Sequence, residues 1–224
     1  MENSALQQIV NQQYDDEAES YETQIGHGIS DAELECWRVD ISSAIQPKSN
    51  SQILDVGAGT GVFSRFFGDW GHRVTGVDPS SNMLRVAQAA TLSQGYADRV
   101  RYVMGDTHQS NLFEEATYDC VVSRQAVCYF HDPLLAFQNW HRWLRYQGAV
   151  IVVDGLWFRE GWSNDELVDQ LPISCLQTRA TVAYLLEKAG FHIVVNKWLT
   201  TVNAHLATAG ESHSPRYLVV AHKS

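Results

Sequence analysis

The sequence predicts an α/β fold: a seven-stranded, mostly parallel sheet with helices on both faces, an antiparallel last strand and an N-terminal helical lid. Three observations carry this. Short apolar runs alternate with helical patterns through the middle of the chain, a glycine-rich loop closes the first such run, and two further apolar runs end the sequence.

"QILDV" (52–56), "HRVTGV" (72–77), "VRYVM" (100–104), "YDCVVS" (118–123) and "AVIVVD" (149–154) read as five strands, with helices near 61–69, 81–93 and 133–145. Asp132-Pro133 supplies the last of these helices with a cap and a first-turn proline. "GDTHQSNLFEEAT", between the third and fourth strands, has little helical period and room for only a short helix. "TRATVAYLLEKAGFHIVVNKWLT" is a helix stopped at Gly190 and then a strand, and "PRYLVVAHKS" is the seventh strand, the last two forming a hairpin-like antiparallel edge. Residues 155–177 break the alternation and read as an inserted lid or loop over the strand ends. The domain reading is therefore a single unit, 1–224. It comprises a helical cap (1–50), a core (51–154), the insert and a C-terminal helix with strands (178–224).

The 224 residues suit one domain, and 45% hydrophobic with 19% charged residues is a globular mixture. No apolar run approaches the roughly eighteen residues of a membrane span, and the polar, acidic start lacks the features of a secretory signal. A soluble, cytoplasmic protein is expected. A net charge of −10 opposes a phosphate backbone, so neither nucleic acid nor membrane is an expected partner. Cys36, Cys120, Cys128 and Cys175 are dispersed without a C-x-x-C pair, which points to no disulfide framework and no metal site.

"ILDVGAGTG" (53–61) raises the question of its ligand. A dinucleotide loop, G-x-G-x-x-G, needs a third glycine where Val62 stands, and Asp55 would repel a pyrophosphate while suiting a cation. A P-loop lysine is also missing. Asp78, at the tip of the second strand, suits the two hydroxyls of a ribose, and Asp106 in "GDT" suits an exocyclic amine such as adenine's. Three carboxylates at consecutive strand ends point to an adenosine joined to an amino acid carrying a positive charge.

This set resembles the class I S-adenosylmethionine-dependent methyltransferases over almost the whole chain. "ILDVGAGTG" looks like their first motif, "GVDPS" their ribose-binding end and "GD" their adenine-side motif. "YDCVVSRQAVCYFHDPLLAFQNWHRWLRYQGAVIVVDG" looks like their fourth strand, following helix and fifth strand. The resemblance implies a Rossmann-like sheet that binds S-adenosylmethionine and releases S-adenosylhomocysteine. Asp55, Gly57, Ala58, Gly59 and Gly61 would then cradle the methionine part, and Asp78 with Pro79 the ribose. Met83 would pack on the adenine, Gly105, Asp106 and Thr107 would hold its edge, and Ser123 would lie beside the methionine. "RYQG" (145–148) departs from the family's Pro-Gly-Gly turn, and "SRQAV" replaces the D/N-P-P-Y/F segment of enzymes that methylate adenine bases or protein glutamine.

What remains resembles the small-molecule group, whose N-terminal segment, here "YDDEAESYE" (14–22), folds over the cofactor. The expected reaction is methyl transfer to nitrogen or oxygen of a small, planar or aromatic metabolite, by in-line displacement, in a monomer or homodimer. His27, His131 and Asp154 are candidate bases. Tyr14, Tyr21, Arg124 and Trp157 are candidate acceptor contacts, with Trp162 a further aromatic in the insert. Phe137, Trp140, Trp143 and Leu144 read as core, and "DDEAE" (15–19) as a solvated face. A nucleotide-dependent oxidoreductase and a binding protein that keeps the cofactor pocket without turnover are the alternatives.

Overall fold

A computed structural model describes residues 3–23, 27–162, 164–175, 178–208 and 214–224. Gly26 of the "GHG" stretch and residues 163, 176 and 177 of the insert lie outside the described residues. The elements run α1 (Asn3–Glu17), α2 (Asp31–Ser42), β1 (Gln52–Val56), α3 (Val62–Asp69), β2 (Arg73–Asp78), α4 (Ser81–Ser93), β3 (Val100–Met104) and β4 (Tyr118–Arg124). They continue through α5 (Pro133–Trp143), β5 (Leu144–Gly155), α6 (Asp165–Gln170), α7 (Arg179–Lys188), β6 (Phe191–Trp198), α8 (Thr200–Thr208) and β7 (Arg216–Lys223). Among the described residues no helix is long and apolar enough to cross a membrane.

The strands form one sheet in the order β3-β2-β1-β4-β5-β7-β6, as expected of a mostly parallel seven-stranded sheet. β7 pairs antiparallel with both β5 and β6. Strands β1, β4 and β5 read as unbroken apolar runs because both faces are covered. Leu54, Val121, Val150 and Val152 meet α5 and α7 through Phe137, Trp140 and Leu186. On the other face Ile53, Cys120, Val122 and Ile151 meet α2 and α3 through Trp37, Phe63 and Phe67. The chain reverses its winding between β1 and β4, and such a switch point opens a crevice at the carboxyl ends of those strands.

Three local expectations change. The last two strands are neighbours, but α8 joins them rather than a tight hairpin turn; its Val202 is buried, and Asp40 of α2 accepts from the Thr201 and Val202 N–H groups, both at 2.9 Å. The fifth strand begins at Leu144 directly after α5, so "RYQG" lies within β5, with Gln147 at φ 60° and a register irregularity opposite Tyr118 to Cys120. Residues 105–117 hold no helix.

The acidic run 15–19 is more than a solvated face. Asp15 Oδ1 accepts from Ser80 Oγ at 2.6 Å and from the Asn82 N–H at 3.1 Å, setting a carboxylate on the first turn of α4, where the helix dipole favours it. Glu19 pairs with Arg85, and Glu22 with buried Arg65 at 3.2 Å. Below them Leu6 and Val10 of α1 pack with Leu167 and Leu171 of the insert. The cap is thus fastened to the core by carboxylates and to the insert by apolar contact. Asp15→Ala is expected to cost about 1.5–3 kcal/mol, the worth of a hydrogen bond to a charged group. Amide exchange should be faster in α1 while the central strands stay protected, and hydrogen-exchange mass spectrometry reads both.

Candidate functional site

The crevice is a cavity of about 890 Å³, open space at its mouth included, lined from α1, the glycine loop and the ends of β2, β3 and β4. That size suits a drug-sized ligand or nucleoside conjugate.

The glycine loop is shaped by what it must avoid. Gly57 (φ 71°) has Ala126 so close that a Cβ would meet its methyl at 2.3 Å, and a Cβ on Gly61 (φ 81°) would meet the Tyr102 hydroxyl at 2.1 Å. Both positions need a positive φ and no side chain. The Gly57 and Ala58 N–H groups donate to the Val77 carbonyl at 2.9 and 3.1 Å, which hangs the loop on the end of β2. Asp78 completes the brace: Oδ2 accepts from the Gly59 N–H and Oδ1 from the Ser80 N–H, each at 2.9 Å. Burial nevertheless raises its pKa to about 6.

Asp55 is buried at the end of β1, and its Oδ2 accepts from Ser64 Oγ at 2.6 Å. Burial also raises its pKa to about 6, against the pull of Ser64 and Arg124. Asp106 behaves oppositely. Burial works against ionisation, but His108, with Nδ1 at 2.6 Å and its N–H at 2.9 Å, brings the carboxyl below its ordinary value. Thr107 is fixed from behind by α5: its Oγ1 accepts from Trp140 Nε1 at 2.6 Å and its carbonyl from Asn139 Nδ2 at 2.9 Å.

Of the expected cofactor residues, Asp55, Gly57, Ala58, Gly59, Asp78, Pro79, Met83, Gly105, Asp106 and Thr107 line this one cavity. Gly61 caps α3 behind the loop, and Ser123, buried with its Oγ unpartnered among the described residues, is not in the lining. Tyr14, Tyr21 and Arg124 line it as well. His27 is one ring removed, stacked on Tyr21 at 4.2 Å; burial, then Arg124 and Arg216, lower its pKa to about 4. His131 stands behind His108, ring centroids 3.7 Å apart. Asp154 and Trp157 are outside the lining: Asp154 Oδ1 accepts from Trp157 Nε1 and from the Gly155 N–H, and burial raises its pKa to about 6.

Sequence reasoning missed Gln7, Val10, His108, Gln125, Tyr129 and Phe130 in the lining. His108 directly follows "GDT", and Tyr129 lies just beyond β4, in the 3-10 turn Val127–Tyr129. Tyr14 touches Tyr129 and Tyr21 edge-on at 5.2 and 5.9 Å, so three tyrosines from three segments wall one end.

Residues 54–152 match the model of a family described as a methyltransferase domain. Over 152 residues the chain is 28% identical to phosphoethanolamine N-methyltransferase 1 of Triticum aestivum, covering 66% of this chain and 30% of that protein. It is 27% identical over 200 residues to phosphoethanolamine N-methyltransferase of Plasmodium falciparum (86% and 73%). It is also 34% identical over 122 residues to malonyl-[acyl-carrier protein] O-methyltransferase of Pseudescherichia vulneris (54% and 46%). The chain thus spans less than half the length of two of these relatives. Among solved structures, the [4+2]-cyclase SpnF superposes with a TM-score of 0.73 at 18% identity, covering 96% of this chain and 94% of that one. Phosphoethanolamine N-methyltransferase 2 of Haemonchus contortus with S-adenosyl-L-methionine superposes at 0.70 and 20% identity (93% and 57%). These likenesses agree with the fold.

Asp55 has a pKa above the ordinary 3.8 of a carboxyl, so the folded state holds its proton more tightly than the unfolded state. Stability from this group is full below about pH 4 and declines as pH rises to about 6. Asp55→Asn, which imitates the protonated acid, is expected to stabilise the ligand-free protein at pH 7 by about 1–3 kcal/mol and to flatten the profile between pH 4 and 6. Urea titrations at pH 7 and pH 5 measure both.

Proposed function

We infer that this chain, whose residues 54–152 match the model of a methyltransferase domain family, transfers a methyl group from S-adenosylmethionine to a nitrogen or oxygen of a small, planar or aromatic metabolite. The observation that carries the reading is one cavity onto which the glycine loop, Asp78 and the Gly105–Thr107 turn converge from three adjacent strand ends. The residues fit the donor: a Cβ built on Gly59 meets nothing within 4 Å, so open space lies over the loop where a ligand's backbone can approach. Asp78 faces that space with acceptors for ribose hydroxyls, Met83 and Phe130 supply apolar surface for a base, and Asp106 an acceptor for its amine.

The sulfonium of the donor supplies an already activated methyl group. The protein's task is to hold donor and acceptor in line and keep water out. Tyr14, Tyr21 and Tyr129 offer ring faces and edges against which a flat acceptor stacks. Burial pushes the Tyr21 pKa up to about 12 and raises Tyr14 and Tyr129 as well, so these phenols act as hydrogen-bond donors rather than bases. His27, neutral above about pH 4, stacks on Tyr21 one ring back from the cavity and orients that phenol rather than meeting the acceptor. A tyrosine wall without a basic group favours orienting an amine over ionising a hydroxyl. The cap and insert, joined through Leu6, Val10, Leu167 and Leu171, exclude solvent during transfer. The relatives' names include methylation of both nitrogen and oxygen, and the acceptor is a partner of the small-molecule kind.

Calorimetric titration with S-adenosylmethionine, S-adenosylhomocysteine and NAD is expected to show binding of the first two only; binding of NAD alone would replace this reading with an oxidoreductase. Asp78→Asn is expected to weaken S-adenosylhomocysteine by about tenfold or more, since one charge-assisted hydrogen bond is worth about that much. Circular dichroism should be unchanged. Equal affinity in the variant removes the ribose role of Asp78.

A further inference from the structure

Asp154 is a buried acid that the reaction above does not use. It is 1% exposed near the end of β5, outside the cavity lining, and its Oδ2 is unpartnered among the described residues. Its Oδ1 accepts from the Gly155 N–H and from Nε1 of Trp157, where the insert leaves the strand. The face of the same indole meets buried Arg216 of β7, whose guanidinium carbon lies 4.5 Å from the ring centroid. A carboxyl at the indole's edge and a guanidinium on its face thus hold Trp157 between two buried ionisable groups. A Cβ on Gly155 would meet Arg216 Nη1 at 2.7 Å and the indole at 3.1 Å, so the insert departs through a residue that leaves room for this stack.

Beyond Trp157 the insert lies against the tyrosine end of the cavity. Trp162 packs on Tyr129 with ring centroids 4.8 Å apart, and Leu167 and Leu171 pack with Leu6 and Val10 of α1. Tyr129 and Val10 line the cavity, so the insert backs two elements of its wall. Trp157 ties this layer to the sheet.

The tie has a cost, and burial sets its direction. Burial raises the Asp154 pKa to about 6 against the pull of Gly155, Trp157 and Arg216. Cys128 and Tyr129 beyond β4 and Tyr217, its register partner on β7, also face Asp154; burial raises the pKa of all three, so they stay neutral. Arg216, brought down to about 10 by burial, stays charged. Water that reaches Asp154 when the insert lifts returns its pKa toward the ordinary 3.8. The closed insert therefore holds the proton more tightly, and opening becomes easier as pH rises from about 4 to about 6.

We propose that the insert is a strap across the tyrosine end of the cavity, locked where Trp157 sits between Asp154 and Arg216, and that the buried carboxylate of Asp154 loads it to open. Opening uncovers Tyr129 and frees α1, which gives a ligand its way in. The strap acts on the cavity whichever ligand binds there.

The test is hydrogen-exchange mass spectrometry on the full chain at pH 5 and pH 7, with rates corrected for the pH dependence of amide exchange itself. In the wild type, amides of residues 157–162 and 164–171 should open about tenfold more often at pH 7 than at pH 5. Asp154→Asn is uncharged but still accepts from the indole. It should slow these amides, and those of α1 with them, by about a hundredfold at pH 7 and remove the pH difference, the factor separating a carboxyl that titrates near 6 from one near 3.8. Trp157→Phe keeps a ring under Arg216 but loses the N–H, and should speed opening about tenfold. The two variants thus move in opposite directions, which general damage to the fold does not produce. Unchanged insert exchange in Asp154→Asn overturns the proposal, and so does slowing confined to the central strands, which reports global unfolding alone. Slowing of the insert without α1 overturns it as well, because the strap then has no hold on the cavity, and so does a Trp157→Phe protein that opens no faster than the wild type.

Discussion

The site depends on one brace. The carboxylate of Asp78 receives the N–H groups of Gly59 and Ser80 while the Val77 carbonyl receives those of Gly57 and Ala58. Two loops that leave different strands are thereby fixed to one strand end, and the ligand-facing surface becomes a property of the sheet instead of a mobile turn. The sheet can serve this way because its central strands are covered on both faces by large aromatic side chains, while the cavity opens at their carboxyl ends. Trp140 carries the same rigidity to the third loop, joining the core under α5 to the Thr107 hydroxyl.

A second relation concerns stability given up for function. Asp55, Asp78 and Asp154 are all buried carboxyls whose pKa lies well above the ordinary range. In a protein selected for stability alone, such groups would be apolar or paired with cations. Perturbed carboxyls gathered at strand ends are what a ligand-binding site looks like electrostatically. The cap offsets part of this strain, since its own carboxylates are placed well: Asp15 on a helix N-terminus and Glu22 on Arg65.

The centre of the fold was legible because its signals are local. Unbroken apolar strands, the glycine loop with Asp55, the strand-end Asp78 and the Asp132-Pro133 helix start each need only a few neighbouring residues to be recognised. The edges were less so. α8 carries weak amphipathic pattern and is tied at its start to Asp40, a partner 161 positions from Thr201. The start of β5 was hidden by polar "RYQG", whose residues 145–147 are exposed and so lack the apolar mark of a buried strand. Asp15, Glu19 and Glu22 read as solvated because nothing in a run of acids reveals that Ser80, Arg85 and Arg65 face it. For the cavity the same division holds: the glycine loop, Asp78 and the Gly105–Thr107 turn form motifs, with His108 next to the last of them, whereas Tyr129 enters through the third dimension.

That division has a physical root in how the cavity is made. One end is built from backbone turns at strand ends, where conformation constrains residue type: Gly57 and Gly61 have no space for a side chain, and Asp78 accepts two N–H groups. Its other end is built from side chains projecting from α1, the segment after it, and the turn beyond β4, where many residues satisfy the same backbone. A change from Tyr14 or Tyr129 to another aromatic alters the chamber without disturbing a strand or a loop. The backbone-built part of the cavity is therefore fixed by the scaffold, while its tyrosine wall uses residue types that the fold leaves open, which is why one scaffold can host many functions.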